Sequence, residues 1–408
     1  MTEVVPEVDV EPSGLRVLRD RNLWPYLGGS FASGCGTWFQ NVAQAILIYR
    51  LTHSTLLVGV VGFAQFAGTL ALAPWSGAAA DHFDRKRLMI TTQLASIAVT
   101  AVLAVVAAAD LATTPVVIAL AGLLGMISAF NTPAMLSLVP LLVPEHEIRG
   151  AIALNAATFN LARAVGPVLG AVVVDQLGIP AAFGLNALSY LALIVGLLAV
   201  QPRSQPPRPA ERPKFRESIA VVRGDARLSL LLVAVMVVAI ASDPVTTLAP
   251  GFVTELFHHH DTWMGVLIGA YGAGAVLAAL RAGRLRDPER TLAMGLTIMG
   301  VGGVAFALAP SLEVGMLGML VAGYGYLTSS TTTTAALQLG VEESQRGRVM
   351  AIWSVAFVGV RPFGSLADGA IATGLGLRTA GVVFALPALV MAGVLVLRRR
   401  RLLAAAPR

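Results

Sequence analysis

The sequence predicts an all-α membrane protein with twelve transmembrane helices arranged as two six-helix bundles. Three observations predict it: an apolar content that water cannot accommodate, two sets of six apolar runs on either side of a polar segment, and cations confined to alternate connections. Of 408 residues, 56% are hydrophobic and 13% are charged, with a mean hydropathy of +0.75, and a soluble domain would have to hide this in one improbably large core. A bilayer takes about 20 apolar residues per helix, so about twelve spans use roughly 240 residues and leave the rest for connections.

The chain begins with a segment, 1–22, that is acidic first (Glu3, Glu7, Asp9, Glu11) and basic afterwards (Arg16, Arg19, Arg21). A cleavable signal peptide has the opposite order, so this end is expected to be a retained cytoplasmic tail. Apolar runs follow at 24–48, 56–80, 88–109, 116–142, 152–174 and 181–200, making an N-terminal bundle over 23–200. Residues 201–227 are rich in Pro and Arg, cannot bury enough surface to span, and form the expected linker. A second set at 228–252, 264–280, 292–309, 314–337, 349–373 and 380–397 makes the C-terminal bundle over 228–397, and a basic tail closes the chain at 398–408.

With both termini in the cytoplasm of a cell (inner) membrane, the cations fall on one side. Of 29 Lys and Arg, only Arg50 and Arg378 fall on the opposite connections, and only Arg163 and Arg361 lie within spans. That asymmetry is the positive-inside rule. It also accounts for the net charge of +6 without nucleic acid.

Several other classes are excluded. One cysteine, Cys35, lies in an apolar run, so neither a disulfide framework nor a Cys metal site is expected. Glycine pairs such as Gly272–Gly274 and Gly300–Gly303 sit within apolar helices and not after a strand. The two lysines, Lys86 and Lys214, follow Arg85 and Pro213, so no phosphate loop exists. His258, His259 and His260 with Asp261 fall in an expected outer loop and lack a second set of ligands. No catalytic cluster appears at membrane depth, so the chain is not expected to be an enzyme, and no cofactor or metal is expected.

After the second run comes Gly77-Ala78-Ala79-Ala80-Asp81-His82-Phe83-Asp84-Arg85-Lys86-Arg87. Gly77 permits close helix approach, Asp81 suits the positive end of a neighbouring helix, and Arg85, Lys86 and Arg87 hold the loop in the cytoplasm. The stretch resembles the signature loop between helices 2 and 3 of the major facilitator superfamily. The resemblance implies that fold, and it implies that Asp81 meets the start of helix 11 near Arg346-Gly347-Arg348 and latches the outward-facing state. Asn131-Thr132-Pro133-Ala134, Asn155, Asn160, Arg163, Tyr49-Arg50-Leu51-Thr52 and Gly347-Arg348-Val349 resemble the branch that contains the enterobactin exporter and related efflux proteins. Gly166-Pro167-Val168-Leu169-Gly170 is similar to the core of the antiporter signature, with Ala162 and Ala171 in place of its flanking glycines. As a helix-5 hinge, Gly166, Pro167 and Gly170 stand beside the reading of an ordinary kinked helix. Ala121 replaces the helix-4 arginine that many exporters of the superfamily carry four residues before a glycine equivalent to Gly125.

An ionisable side chain at membrane depth costs at least about 2.5–3.5 kcal/mol unless it has a partner or a polar cavity. Asp243, before Pro244, is therefore a candidate for a proton or a cationic substrate group, or for an interhelical pair. Arg163 is a candidate for an anionic substrate group or an ion pair. Arg361 and Asp368 share a helix face and are about 10 Å apart, too far to pair with each other. Gln40, Asn41, Gln44 and Asn131 lie with Thr246, Thr247 and the run from Ser329 to Thr334 on helices expected to line a central path. Helices 3, 6, 9 and 12 are comparatively bland. Together these features predict a monomeric secondary transporter in membrane lipid, exporting small amphipathic molecules by proton antiport. Uptake symport and a transport-inactive sensor or assembly subunit are the alternatives.

Overall fold

A computed structural model describes residues 20–203, 222–281, 287–341 and 343–405. The expected amino-terminal tail and linker fall largely outside the described residues. Nearly all the described chain is helical, and we number the helices α1 to α12.

In the first half, α1 (Trp24–Thr52), α2 (Thr55–His82), α3 (Arg85–Ala108), α4 (Thr114–Leu138), α5 (Ile148–Leu177) and α6 (Ile179–Ala199) run up and down in turn. Short polar caps set the corners: Ser54 accepts from the Leu57 amide at 3.4 Å and Asp84 from the Arg87 amide at 2.8 Å. The cap at Asp84 changes the expected signature loop. Helix α2 runs through His82 and α3 starts at Arg85, so Phe83 and Asp84 alone connect them, and the basic cluster is the first turn of a helix.

In the second half α7 is broken. It runs over Ala226–Ala241, resumes at Pro244–Thr247 and Ala249–Gly251, and ends in a π-helical turn at Phe252–Leu256. Then come α8 (Trp263–Ala279), α9 (Pro288–Ala307), α10 (Leu312–Leu339), α11 in two pieces (Glu343–Gly359 and Arg361–Leu375) and α12 (Leu377–Ala405). The α12 helix continues into the expected basic tail as far as Ala405, and Arg399 reaches Asp287 at 2.6 Å. Arginines suit a helix C-terminus, because they complement the exposed carbonyl dipoles.

Nine of the helices are long and apolar enough to cross a membrane, counted among the described residues. The other three are α8, which has 17 residues, and the more polar α1 and α10.

The halves repeat one another at their tightest corners. Gly178 joins α5 to α6 with φ +85°, and Gly376 joins α11 to α12 with φ +91°. Only glycine adopts such angles cheaply, so the two helix pairs turn alike.

Within the first half α1 packs on α5 and α6, α2 on α4, and α3 on α4 and α6; within the second, α10 packs on α8 and α9, and α12 on α9 and α11. Two seams join the halves, α2 against the second piece of α11 and α5 against α8. Both are glycine-lined. A Cβ at Gly59 would lie 2.3 Å from the Ser365 carbonyl oxygen, and one at Gly265 would lie 2.3 Å from the Pro167 carbonyl oxygen. Backbone contact of this kind is how helices associate where lipid removes the hydrophobic driving force.

Candidate functional site

Proline builds the centre of the molecule. Pro244 lacks an N–H, so α7 cannot continue through it, and the amides of Ser242 and Asp243 bond back only three residues, to Ala239 and Ile240 at 3.2 and 3.1 Å. Asp243 is left at the break, 1% exposed, with its carboxylate free of any capping duty. The same device operates on α11, where Pro362 follows Arg361 at the break beyond Gly359. The two breaks meet. Arg361 Nε donates to Asp243 Oδ1 at 3.1 Å, while its guanidinium lies 4.4 Å from the ring centre of Phe66 on α2 and 5.7 Å from that of Phe357. Gly364 makes the approach possible, since a Cβ there would sit 2.3 Å from Asp243 Oδ2. That second oxygen is buried and has no hydrogen-bond partner among the described residues.

Arg163, on α5, is 8% exposed. Its guanidinium lies 4.4 Å from the ring of Tyr326 on α10, 5.2 Å from Tyr271 on α8 and 5.7 Å from Trp38 on α1. No carboxylate lies within ion-pair distance of it among the described residues, so the ring faces supply the negative potential that a buried cation needs. The Tyr271 hydroxyl is itself buried without a partner among the described residues. Trp38, Arg163, Tyr271, Tyr326, Asp243 and Arg361 all sit near the middle of their helices, so the cluster lies at mid-depth and draws on both halves.

One turn beyond Gly364 on the same face of α11 lies Asp368, fully buried, with neither carboxylate oxygen hydrogen-bonded to a described residue. Asp368 does not pair with Arg361, which is engaged by Asp243.

The other candidates separate. Gln40 Oε1 accepts from Thr100 at 3.1 Å and from Asn186 at 2.7 Å, and Asn131 Oδ1 accepts from Gln93 at 3.0 Å and Thr92 at 3.3 Å. Both amides therefore serve packing within the first half. Their partners lie on α3 and α6, so those helices are not bland on their inner faces. Gln44 is buried with its Nε2 unpartnered among the described residues, and Asn41 is half-buried. Gly166 and Gly170 bring α5 onto Trp38 and Phe39 of α1, while Pro167 presents its carbonyl across the other seam to Gly265. Lys86 donates to the Val200 carbonyl at 2.8 Å, Arg85 is half-buried and Arg87 is exposed. Gly77 and Asp81 lie within α2, but their side chains, like those of 346–348, fall outside the described residues.

One end of the molecule carries the start of α1 and the end of α12. At the opposite, distal end, the halves are tied together: Arg50 Nε and Nη2 reach Asp261 at 2.5 and 2.8 Å, Tyr49 donates to Glu255, and Thr262 donates to Asp175 at 3.4 Å. His260 Nδ1 stands between Asp261 at 3.4 Å and Asp175 at 3.9 Å. At the end with the start of α1, ion pairs such as Arg203–Asp20 and Arg227–Glu289 stay within one half. A cavity of about 390 Å³ lies there, lined by Arg227, Arg281, Tyr324, Thr328, Thr331 and Thr332 among others. Neither the aromatic cage nor the distal tie was legible in the sequence. Charge signs alone do not pair Arg50 with Asp261, and aromatic residues in small-residue helices give no periodic signal.

Known proteins match this arrangement. The chain is 22% identical over 355 residues to the staphyloferrin A transporter of Staphylococcus aureus (strain NCTC 8325 / PS 47), covering 84% of this chain and 87% of that protein. It is 26% identical over 384 residues to the enterobactin exporter EntS of Shigella boydii serotype 4 (strain Sb227), covering 85% and 86%. Among solved structures, a bacterial homologue of the human lysosomal transporter Spinster, inward-facing and unoccupied, superposes with a TM-score of 0.72 at 15% identity over 98% of this chain and 100% of that one. A D-xylose-proton symporter does so with a TM-score of 0.73 at 13% identity, over 93% and 97%. The family model described as "Transmembrane secretion effector" matches residues 15–406. The chain therefore belongs to the transmembrane secretion effector family of major facilitator transporters.

Proposed function

We propose that this transporter exports small amphipathic organic molecules, siderophore-like acids among them, by proton antiport with alternating access. The termini lie in the cytoplasm of the cell membrane, so the closed distal end faces outward and the described conformation is inward-facing. One observation carries the reading most: a buried Asp243–Arg361 pair at mid-depth, contacted by Phe66 of the other half and neighboured by the caged Arg163. An ion pair costs desolvation that only good geometry offsets. It is exchangeable where a proton or a cationic substrate group takes the place of Arg361 on Asp243. Arg163 offers its charge to an anionic group that enters from the cytoplasmic side. The names of the relatives, an enterobactin exporter and a staphyloferrin A transporter, agree with substrates of that kind.

The experiment begins with metabolites retained by a strain that lacks the transporter. Inside-out vesicles with an acidic lumen should accumulate one of these molecules and lose it when a protonophore is added. Accumulation only under the reverse gradient would mean uptake symport. No flux of any retained metabolite under either gradient would overturn transport itself.

A further inference from the structure

Asp368 stands apart from the charges already described. It lies in the second piece of α11, whose buried residues Gly364, Ser365, Asp368, Gly369 and Ala372 form one face. That face meets the distal half of α2. Gly59 abuts the Ser365 backbone, a Cβ at Gly369 would lie 2.7 Å from the Thr55 carbonyl oxygen, and the Thr55 and Thr373 hydroxyls are 3.5 Å apart. From residue 55 to residue 80, α2 carries no charged side chain. On α12, Arg378 donates to the Ala307 carbonyl at 3.3 Å. From α7 comes Asp243, a charge of the same sign, and Arg361 is already paired with it. Asp368 is thus completely enclosed and, among the described residues, has neither a hydrogen-bond partner for either oxygen nor an unpaired cation to balance it.

A carboxylate in such a place is strongly disfavoured, whereas a neutral carboxylic acid is tolerated. We propose that Asp368 is a proton-binding site built into the α2–α11 seam, occupied by a proton while the distal end is closed and ionised only when that seam opens to water. The inference rests on the proton-coupled reading above and deepens it. On opening, the O–H bond of the acid breaks, the proton passes to water on the distal side, and the carboxylate remains, solvated. On closing, the carboxylate takes a proton from that side and carries it into the membrane. Asp243, on α7, packs against Gly364, one turn before Asp368 on α11, and its Oδ2 has no hydrogen-bond partner among the described residues.

The sign follows from linkage. Protonation favours the closed seam, so closure is complete at low pH and is lost as pH rises. The test uses the full chain in nanodiscs, with Cys35→Ala and spin labels at Leu111→Cys and Leu375→Cys, two exposed distal positions in opposite halves. The parent should shift from a short to a long distance between pH 5 and pH 9, with the long-distance population rising at least tenfold. Asp368→Asn should stay short throughout, and Asp368→Glu should restore the shift. An undiminished pH response in Asp368→Asn would overturn the proposal, as would a parent that does not respond to pH. Because distances are read without substrate, failure of proton-driven export in vesicles is a separate result.

Discussion

Asp243 and Arg361, 3.1 Å apart on different helices, are each followed immediately by a proline. The coincidence is physical. A proline that ends one helical piece and begins the next leaves the preceding residue at a bend, where a side chain is held close to the bundle axis. Two such bends face each other, and α11 supplies Gly364 where bulk would push them apart.

Removing one member of this pair leaves the other charge buried and unbalanced, which costs about 3–5 kcal/mol, whereas removing both costs much less. Asp243→Ala and Arg361→Ala are each expected to lower the unfolding temperature of the detergent-solubilised protein more than the double substitution does. Additive losses would show that the pair contributes no coupling.

Export should respond differently. Asp243→Asn keeps the shape but cannot exchange a full charge, so gradient-driven flux should fall at least tenfold while substrate binding at fixed pH persists. Unchanged flux with an unchanged pH profile would remove Asp243 from the mechanism.

The Arg50–Asp261 tie is bidentate, yet Arg50 is 44% exposed, so it is worth about 0.2–1 kcal/mol. Arg50→Ala should therefore raise the distal-open population no more than about fivefold, since 1.4 kcal/mol is a factor of ten. Exchanging the two residues should return it toward the parent value. A distance measurement across the distal end reads both.

Glycine-to-alanine substitutions should divide sharply by position. Gly59→Ala and Gly265→Ala place a methyl group against backbone and should prevent distal closure, with loss of export. Gly374→Ala meets nothing within 4 Å and should change stability by less than about 0.5 kcal/mol.

The Tyr326 ring over Arg163 gives a chemical test. Tyr326→Phe keeps the ring and should be mild, while Tyr326→Ala should cost about 1–2 kcal/mol in thermal unfolding. Equal losses would mean that the hydroxyl and not the ring supports the arginine.

The architecture was readable because lipid demands long apolar segments and biased cations, and both are one-dimensional features. Asp243, Arg163, Arg361 and Asp368 stood out for the same reason, as charges where charge is expensive. Their pairing was not readable. Arg361 and Asp368 share a helix but are too far apart to pair, and the partner that Arg361 finds on α7 depends on which way a broken helix bends. Gln40 and Asn131 resembled lining residues for a central path, but α3 and α6 hold complementary groups whose orientation no helical period reveals.

The two glycine-lined seams have an electrical consequence. Helices in backbone contact leave no file of water between them, and without water there is no wire along which protons hop. On the function proposed above, the distal closure insulates as well as shuts, so that ions do not slip past an idle carrier and run down the membrane potential. Widening either groove by a bulky substituent would be expected to turn the protein into a leak before it stopped folding.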